Sequence, residues 1–204
     1  MSDLCVHDLV VAPGQGEATA SDMVLIFRTE RLGGHFSIME GEVEPKALLA
    51  PHTHANEDQT MFILNGELEF EIGGEGGLRF RAGAGAHVIK PRGVQHCFWN
   101  LGDATVRYVE CSTEDGFERF IDSRKDGVSA MVGTANDALG ITIHADRIPG
   151  LMRAHGLTSL AGLNVPPLKE LVKDPAFRES LKDPETRRWV AEMVGVKVSQ
   201  LLAL

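Results

Sequence analysis

The sequence predicts a mainly β domain followed by a helical C-terminal stretch. Two observations carry this. Over the first two-thirds, short alternating runs are separated by turn residues, and the 22 glycines concentrate between the runs. Beyond residue 112, apolar residues recur at helical intervals. Many short strands at such spacing make a sandwich or barrel. A chain of 204 residues is long enough for one core plus added elements. We place the β domain at residues 1–112 and the helical extension at 113–204, packed on the barrel or on a partner subunit.

The strand candidates run in order as MVLIFRTE, GHFSIMEGEV, QTMFILNGELEFEI, LRFRAG, AHVIKP, QHCFWN and TVRYVEC. Phe117, Phe120 and Ile121 then share one helical face. The stretches DRIPGLMRAHG and LKELVKDPAFRESLKDPETRRWVAEMVGVKVSQLLAL continue the helical pattern. Asp183-Pro184-Glu185 reads as an N-cap followed by a proline in the first turn.

Asn65-Gly66 between apolar runs predicts a two-residue hairpin, because a type I′ turn needs positive φ at both central residues. That turn would set Ile63 opposite Leu68 and Met61 opposite Phe70. Opposed residues share a face, so Met61, Ile63, Leu68, Phe70 and Ile72 form one apolar face and Glu67, Glu69 and Glu71 the other. A row of carboxylates is too costly to bury, so the apolar face points inward. By the same alternation Gln59 points inward and Asp58 outward, while Glu57 points inward only if the chain stays extended.

His52 and His54 share a face if their segment is a strand, with Cα atoms about 6.5 Å apart. Two imidazoles at that distance can converge on one ion. An isolated His-x-His is more often a pair of loop histidines, so the pair needs a third donor. His96 and Phe98 share a face on a later strand, after the tight turn at Pro91 and Gly93. If that strand lines the barrel, His96 meets His52 and His54, with Phe98 as a pocket wall. A three-histidine set that is not closed by a fourth strong ligand is a catalytic type of site. Met61, Ile63 and Phe70 are core residues and pocket walls together. His87 shares a face with Ile89, opposite Lys90, and is placed in the pocket. Trp99, on the face opposite His96, packs against the tail or a partner.

The segment GAHVIKPRGVQHCFWN, with Gly85, Pro91, Gly93, His96 and Asn100, resembles the second motif of the cupin superfamily without a mismatch. His52, His54 and Gly66 fit the first cupin motif; Gln59 stands where the family has glutamate, and Lys46 where it has a leading glycine. The resemblance spans roughly residues 35–112. It is greatest to small cupins grouped with quercetin dioxygenases and aromatic polyketide pathways. It implies a jelly-roll barrel holding one divalent metal ion (Fe, Ni, Mn, Co or Zn). The ligands it implies are His52, His54, His96 and Gln59. Gln59 can coordinate through its neutral oxygen, but it cannot accept a proton. A base would then have to be Glu57, which could also swing in as a ligand, or the metal itself.

The expected function is a metal-dependent dioxygenase acting on an aromatic or polyphenolic small molecule. Two alternatives stand beside it: a non-redox cyclase, isomerase or lyase, and a small-molecule binder without turnover. The resemblance also implies a homodimer. A net charge of −9 argues against nucleic-acid and anionic-membrane partners. No apolar run approaches the roughly 18 residues of a membrane span, and no secretion signal is read at the N-terminus. Cys5, Cys97 and Cys111 form no CxxC pair, so reduced thiols in the cytoplasm are expected.

Overall fold

The structure is a computed structural model and describes residues 6–123, 139–162, 178 and 181–201. Residues 163–177 of the expected helical stretch, and Cys5, lie outside these. Among the described residues, twelve strands form two sheets. One sheet runs β1 (Glu17–Ala18), β2 (Val24–Phe27), β3 (Phe36–Val43), β10 (Val106–Thr113), β5 (Gln59–Ile63), β8 (His87–Lys90). The other runs β11 (Ile141–Ile143), β4 (Ala47–His54), β9 (His96–Trp99), β6 (Glu67–Ile72), β7 (Leu78–Gly83); β12 (Ser159–Ala161) also pairs with β4. The two inner faces close on one core. Met39, Met61, Ile63, Leu68, Phe70 and Phe98 are fully buried there. This is the mainly β jelly roll that the sequence predicts; a one-turn α1 (Val6–Leu9) precedes it, and the other α-helices follow the barrel.

The Asn65-Gly66 hairpin does not form. β5 and β6 lie in different sheets: β5 pairs with β10 and β8, β6 with β7 and β9. Gly66 has φ +71°, but Asn65 is not among the positive-φ residues, so the turn is a corner between sheets and not a type I′ hairpin. The side-chain amide of Asn65 donates to the Thr105 carbonyl at 2.9 Å and its oxygen accepts from Arg107 N–H at 2.8 Å, which pins the corner to β10. The face assignment survives, since alternation does not depend on which strand is the partner. Met61, Ile63, Leu68 and Phe70 point inward, and Glu67 and Glu69 outward. Glu71 is on the outer face yet buried, between Arg79 at 2.7 Å and Arg147 at 2.5 Å. Burial alone would raise its pKa; the two guanidiniums hold it below the ordinary carboxylate value.

Lys46, where the first motif has glycine, takes φ +60°. The backbone there keeps the left-handed conformation that glycine accepts most readily.

The segment after the barrel is only partly helical. α2 (Gly116–Ser123) packs its Phe120 and Ile121 into the core. β11 then lies antiparallel on β4, with Ile141 opposite His54 and Ile143 opposite His52, and β12 runs parallel to Ala47–Leu49. Both strands cover an edge of β4 that would otherwise expose unpaired backbone. Outside this sheet, α3 (Ile148–His155) lays Ile148, Leu151 and Met152 on Leu48, Cys97 and Trp99, making a second apolar cluster. Trp99 thus packs on the extension, with its indole 4.4 Å from the His155 ring. Pro184 opens α4 (Pro184–Val194), and a short α5 (Val198–Leu201) follows. No helix among the described residues is long and apolar enough to cross a membrane.

Candidate metal centre

β4 and β9 pair antiparallel with one irregularity. Leu49 faces Phe98 and His52 faces His96, so β4 advances three residues while β9 advances two. That extra residue is a bulge. Without it the alternation from inward Leu49 would turn His52 and His54 outward. With it both point into the barrel, opposite His96. A bulge leaves no mark in the apolar pattern of a strand, so the alternation alone does not reveal it.

His52, His54 and His96 are brought together and are buried. One ring nitrogen from each lies within 4.8 Å of the others. Ring centroids are 5.0 Å apart for His52–His54, 4.3 Å for His52–His96 and 5.7 Å for His54–His96. His52 Nδ1 lies 2.8 Å from the Ala50 carbonyl and His96 Nδ1 3.1 Å from the Val94 carbonyl. A carbonyl only accepts, so each Nδ1 carries the proton and each Nε2 a bare lone pair. His54 Nδ1 donates to Glu57 Oε2 at 2.5 Å. Burial drives His54 down to about 3 and holds His52 and His96 well below the ordinary imidazole value, aided by each other's charge and by Lys90. All three rings are therefore neutral at physiological pH, as metal ligands must be.

Gln59 sits on the opposing sheet, 2% exposed. Its amide nitrogen donates to Ser112 Oγ at 3.3 Å. Its Oε1, like Nε2 of His54 and of His96, is buried with no hydrogen-bond partner in the protein. Buried acceptors are normally satisfied, so these orphaned atoms fit a cation. Nitrogen and amide-oxygen donors suit a divalent transition ion or zinc.

Both carboxylate oxygens of Glu57 are engaged within the protein. Its Oε2 holds His54, its Oε1 accepts the Phe117 N–H at the start of α2, and it is 1% exposed. Burial raises it to about 7 despite the Phe117 hydrogen bond. Carboxylates in this place orient a ligating imidazole and raise its basicity. Alternation could not place Glu57, because residues 55–58 are not extended strand. Asp58 faces out and pairs with Arg92 at 2.7 Å.

The expected pocket needs two corrections. His87 is exposed on the outer face of β8, stacked on Phe62 at 4.5 Å. The inward residues of β8 are Val88 and Lys90, so the strand has the opposite phase to the expected one. Lys90 is buried because Glu110 meets its ammonium at 2.7 Å inside the barrel, and a charge can be buried when paired. Met61, Ile63, Phe70 and Phe98 are core, and none of them lines the cleft that reaches His52. That cleft is lined instead by Leu49 and Ala50 of β4, aromatic residues of α2, and residues of β11 and β12.

The Cupin domain family matches residues 35–111. A comparison with curated proteins finds no match. Among solved structures, the chain is similar to an uncharacterized double-stranded β-helix protein from Klebsiella pneumoniae (22% identity, 56% of this chain and 92% of that one, TM-score 0.41). It is also similar to the Cnp3 cupin domain of Schizosaccharomyces pombe (20%, 54% and 77%, TM-score 0.44). A third likeness is to the polyketide cyclase RemF from Streptomyces resistomycificus (21%, 48% and 69%, TM-score 0.40).

Proposed function

Residues 35–111 are a cupin domain, and from that premise we propose that the protein is a metal-dependent enzyme acting on a small aromatic or phenolic molecule. The observation that carries the reading is the set of orphaned acceptors, Nε2 of His54 and His96 and Oε1 of Gln59, beside the third imidazole of His52. A divalent ion held by these residues would supply Lewis acidity, drawing electron density from a substrate oxygen and lowering the pKa of a hydroxyl.

The chain's own residues do the rest. The Ala50 and Val94 carbonyls and Glu57 hold three imidazoles with their lone pairs free for binding. The apolar surroundings exclude water and strengthen every electrostatic contact. Glu57 has both oxygens engaged, and its part in this reading is to orient His54. This arrangement favours a Lewis-acid cyclisation, isomerisation or elimination in which the proton lost from carbon passes to an oxygen of the substrate or its leaving group, over a reaction that needs a dedicated carboxylate base. Dioxygenation is the second reading. It uses the same three imidazoles and is supported by the cupin motifs.

The test is turnover of a panel of phenols by protein loaded with Co, Ni, Mn, Fe or Zn, with and without dioxygen. Product without oxygen supports the first reading. Product only with matching oxygen uptake supports the second. No product with any of the metals, despite full loading, contradicts both.

A further inference from the structure

We infer that the outer face of the sheet β1-β2-β3-β10-β5-β8 is an interface, and that it docks on the same face of a second copy of this chain. The inference goes beyond the proposed reaction and does not depend on it. Across β3, β10, β5 and β8, Ile38 lies opposite Cys111, Cys111 opposite Thr60, and Thr60 opposite Ile89. Val109 faces Phe62 in the next row. The residues between these rows, Met39, Met61 and Val88, are buried in the core, so both rows point outward. Ile89 is 64% exposed, and Leu64, just after β5, is 40% exposed. Ile38, Phe62, Val109 and Cys111 are half-buried. The other sheet is covered around Trp99 by α3. Among the described residues no α-helix packs in that way on the outer face of this one.

Charge and area select a second copy as the occupant. The chain carries a net charge of −9, so two copies repel unless they meet where charge is absent or balanced. The charged side chains pointing out from β3, β10, β5 and β8 are Glu40, Glu42 and Arg107. Arg107 meets both acids, at 3.1 and 3.3 Å. An apolar surface whose few charges are already paired can face its own image without like-charge repulsion. A strongly basic or acidic partner finds no countercharge on it. The face is about 24 Å across β2, β3, β10, β5 and β8, and up to about 27 Å along β3 and β10. A footprint of roughly 600 Å² from each copy gives about 1,200 Å² for the pair, the size at which specific stable interfaces begin.

The experiment is sedimentation equilibrium of the full chain over a range of concentrations, with maleimide labelling of Cys111 followed by peptide mass spectrometry. The expected mass at micromolar concentration is twice the 22.1 kDa of one chain. Ile89→Glu sets a carboxylate against the other copy and should weaken the dimer at least about 100-fold, with Cys111 labelling correspondingly faster. Ile89 is exposed, so the variant should fold; should it not, Leu64→Glu poses the same test. Leu78→Glu, at a 75% exposed apolar residue on the edge strand β7 of the other sheet, should leave the mass unchanged. A dimer as tight in folded Ile89→Glu or Leu64→Glu as in the wild type would overturn the inference. So would a wild type that stays monomeric at every concentration: reactive Cys111 would then mean an open face, and protected Cys111 a face covered by the chain's own segments.

Discussion

Glu57 Oε2 lies 2.5 Å from His54 Nδ1, and both side chains are 1% exposed. The other carboxylate oxygen accepts the Phe117 N–H, so one residue ties a metal-site imidazole to the first turn of α2. Removing such a partner typically lowers metal affinity roughly 10- to 100-fold. Glu57→Ala should show that loss in competition with a chelator. Glu57→Gln, which keeps an acceptor for His54, should recover part of it. Unaltered affinity in both variants would mean that His54 needs no support from Glu57.

Gln59 brings a neutral oxygen where the cupin motif has a carboxylate. In the donor set proposed here, Gln59→Glu adds a negative charge to three neutral imidazoles and should tighten metal binding by at least about tenfold, the effect of one favourable charge interaction of about 1.4 kcal/mol. Weaker loading, measured by isothermal titration, would place Gln59 away from the ion.

The buried imidazoles also predict acid sensitivity in the metal-free protein. Burial takes His54 to about 3 and holds His52 and His96 well below 6.5. The unfolded chain binds these protons near pH 6.5 and the native state does not. Stability is therefore fully present above 6.5 and falls as pH drops toward about 3, by about 1.4 kcal/mol per unit per histidine. Glu57, raised by burial to about 7 from 4.5, works in the opposite direction between those values. Three imidazoles outweigh one carboxyl. The urea midpoint of chelator-treated protein should decline steadily from pH 6.5 to 4.5, and a flat midpoint would mean that the rings are solvated.

Lys90 and Glu110 form an ion pair inside the barrel, with side chains 2% and 3% exposed. Burial pushes the lysine pKa down and the glutamate pKa up, and each is opposed by the other's charge. Lys90→Met strands Glu110 and should cost about 3–5 kcal/mol in denaturant unfolding. Adding Glu110→Leu should return most of that stability. A single variant as stable as the wild type would show that the pair is hydrated.

Much of this was legible in the sequence. The spacing of His52, His54 and His96 is set by two motifs, and His52 and His54 share a face because they lie two residues apart on one strand. The outward turn of Glu67 and Glu69 follows from the cost of burying carboxylates. What stayed hidden depends on partners distant along the chain. Lys90 faces inward because Glu110, twenty residues on, neutralises it, and this inverts the phase of β8 and puts His87 outside. Asn65-Gly66 makes a corner because β5 finds better partners in β8 and β10 than in its neighbour β6. Ile141–Ile143 is too short a run to announce itself as a strand; its identity comes from the free edge of β4.

The most direct test of the account is X-ray absorption at the cobalt edge of the loaded protein, read against cobalt content in His96→Ala. Three imidazole nitrogens in the wild type, and loss of the ion in a folded His96→Ala, are the predicted results. A cobalt site with fewer than two imidazoles, or full loading in His96→Ala, would contradict it.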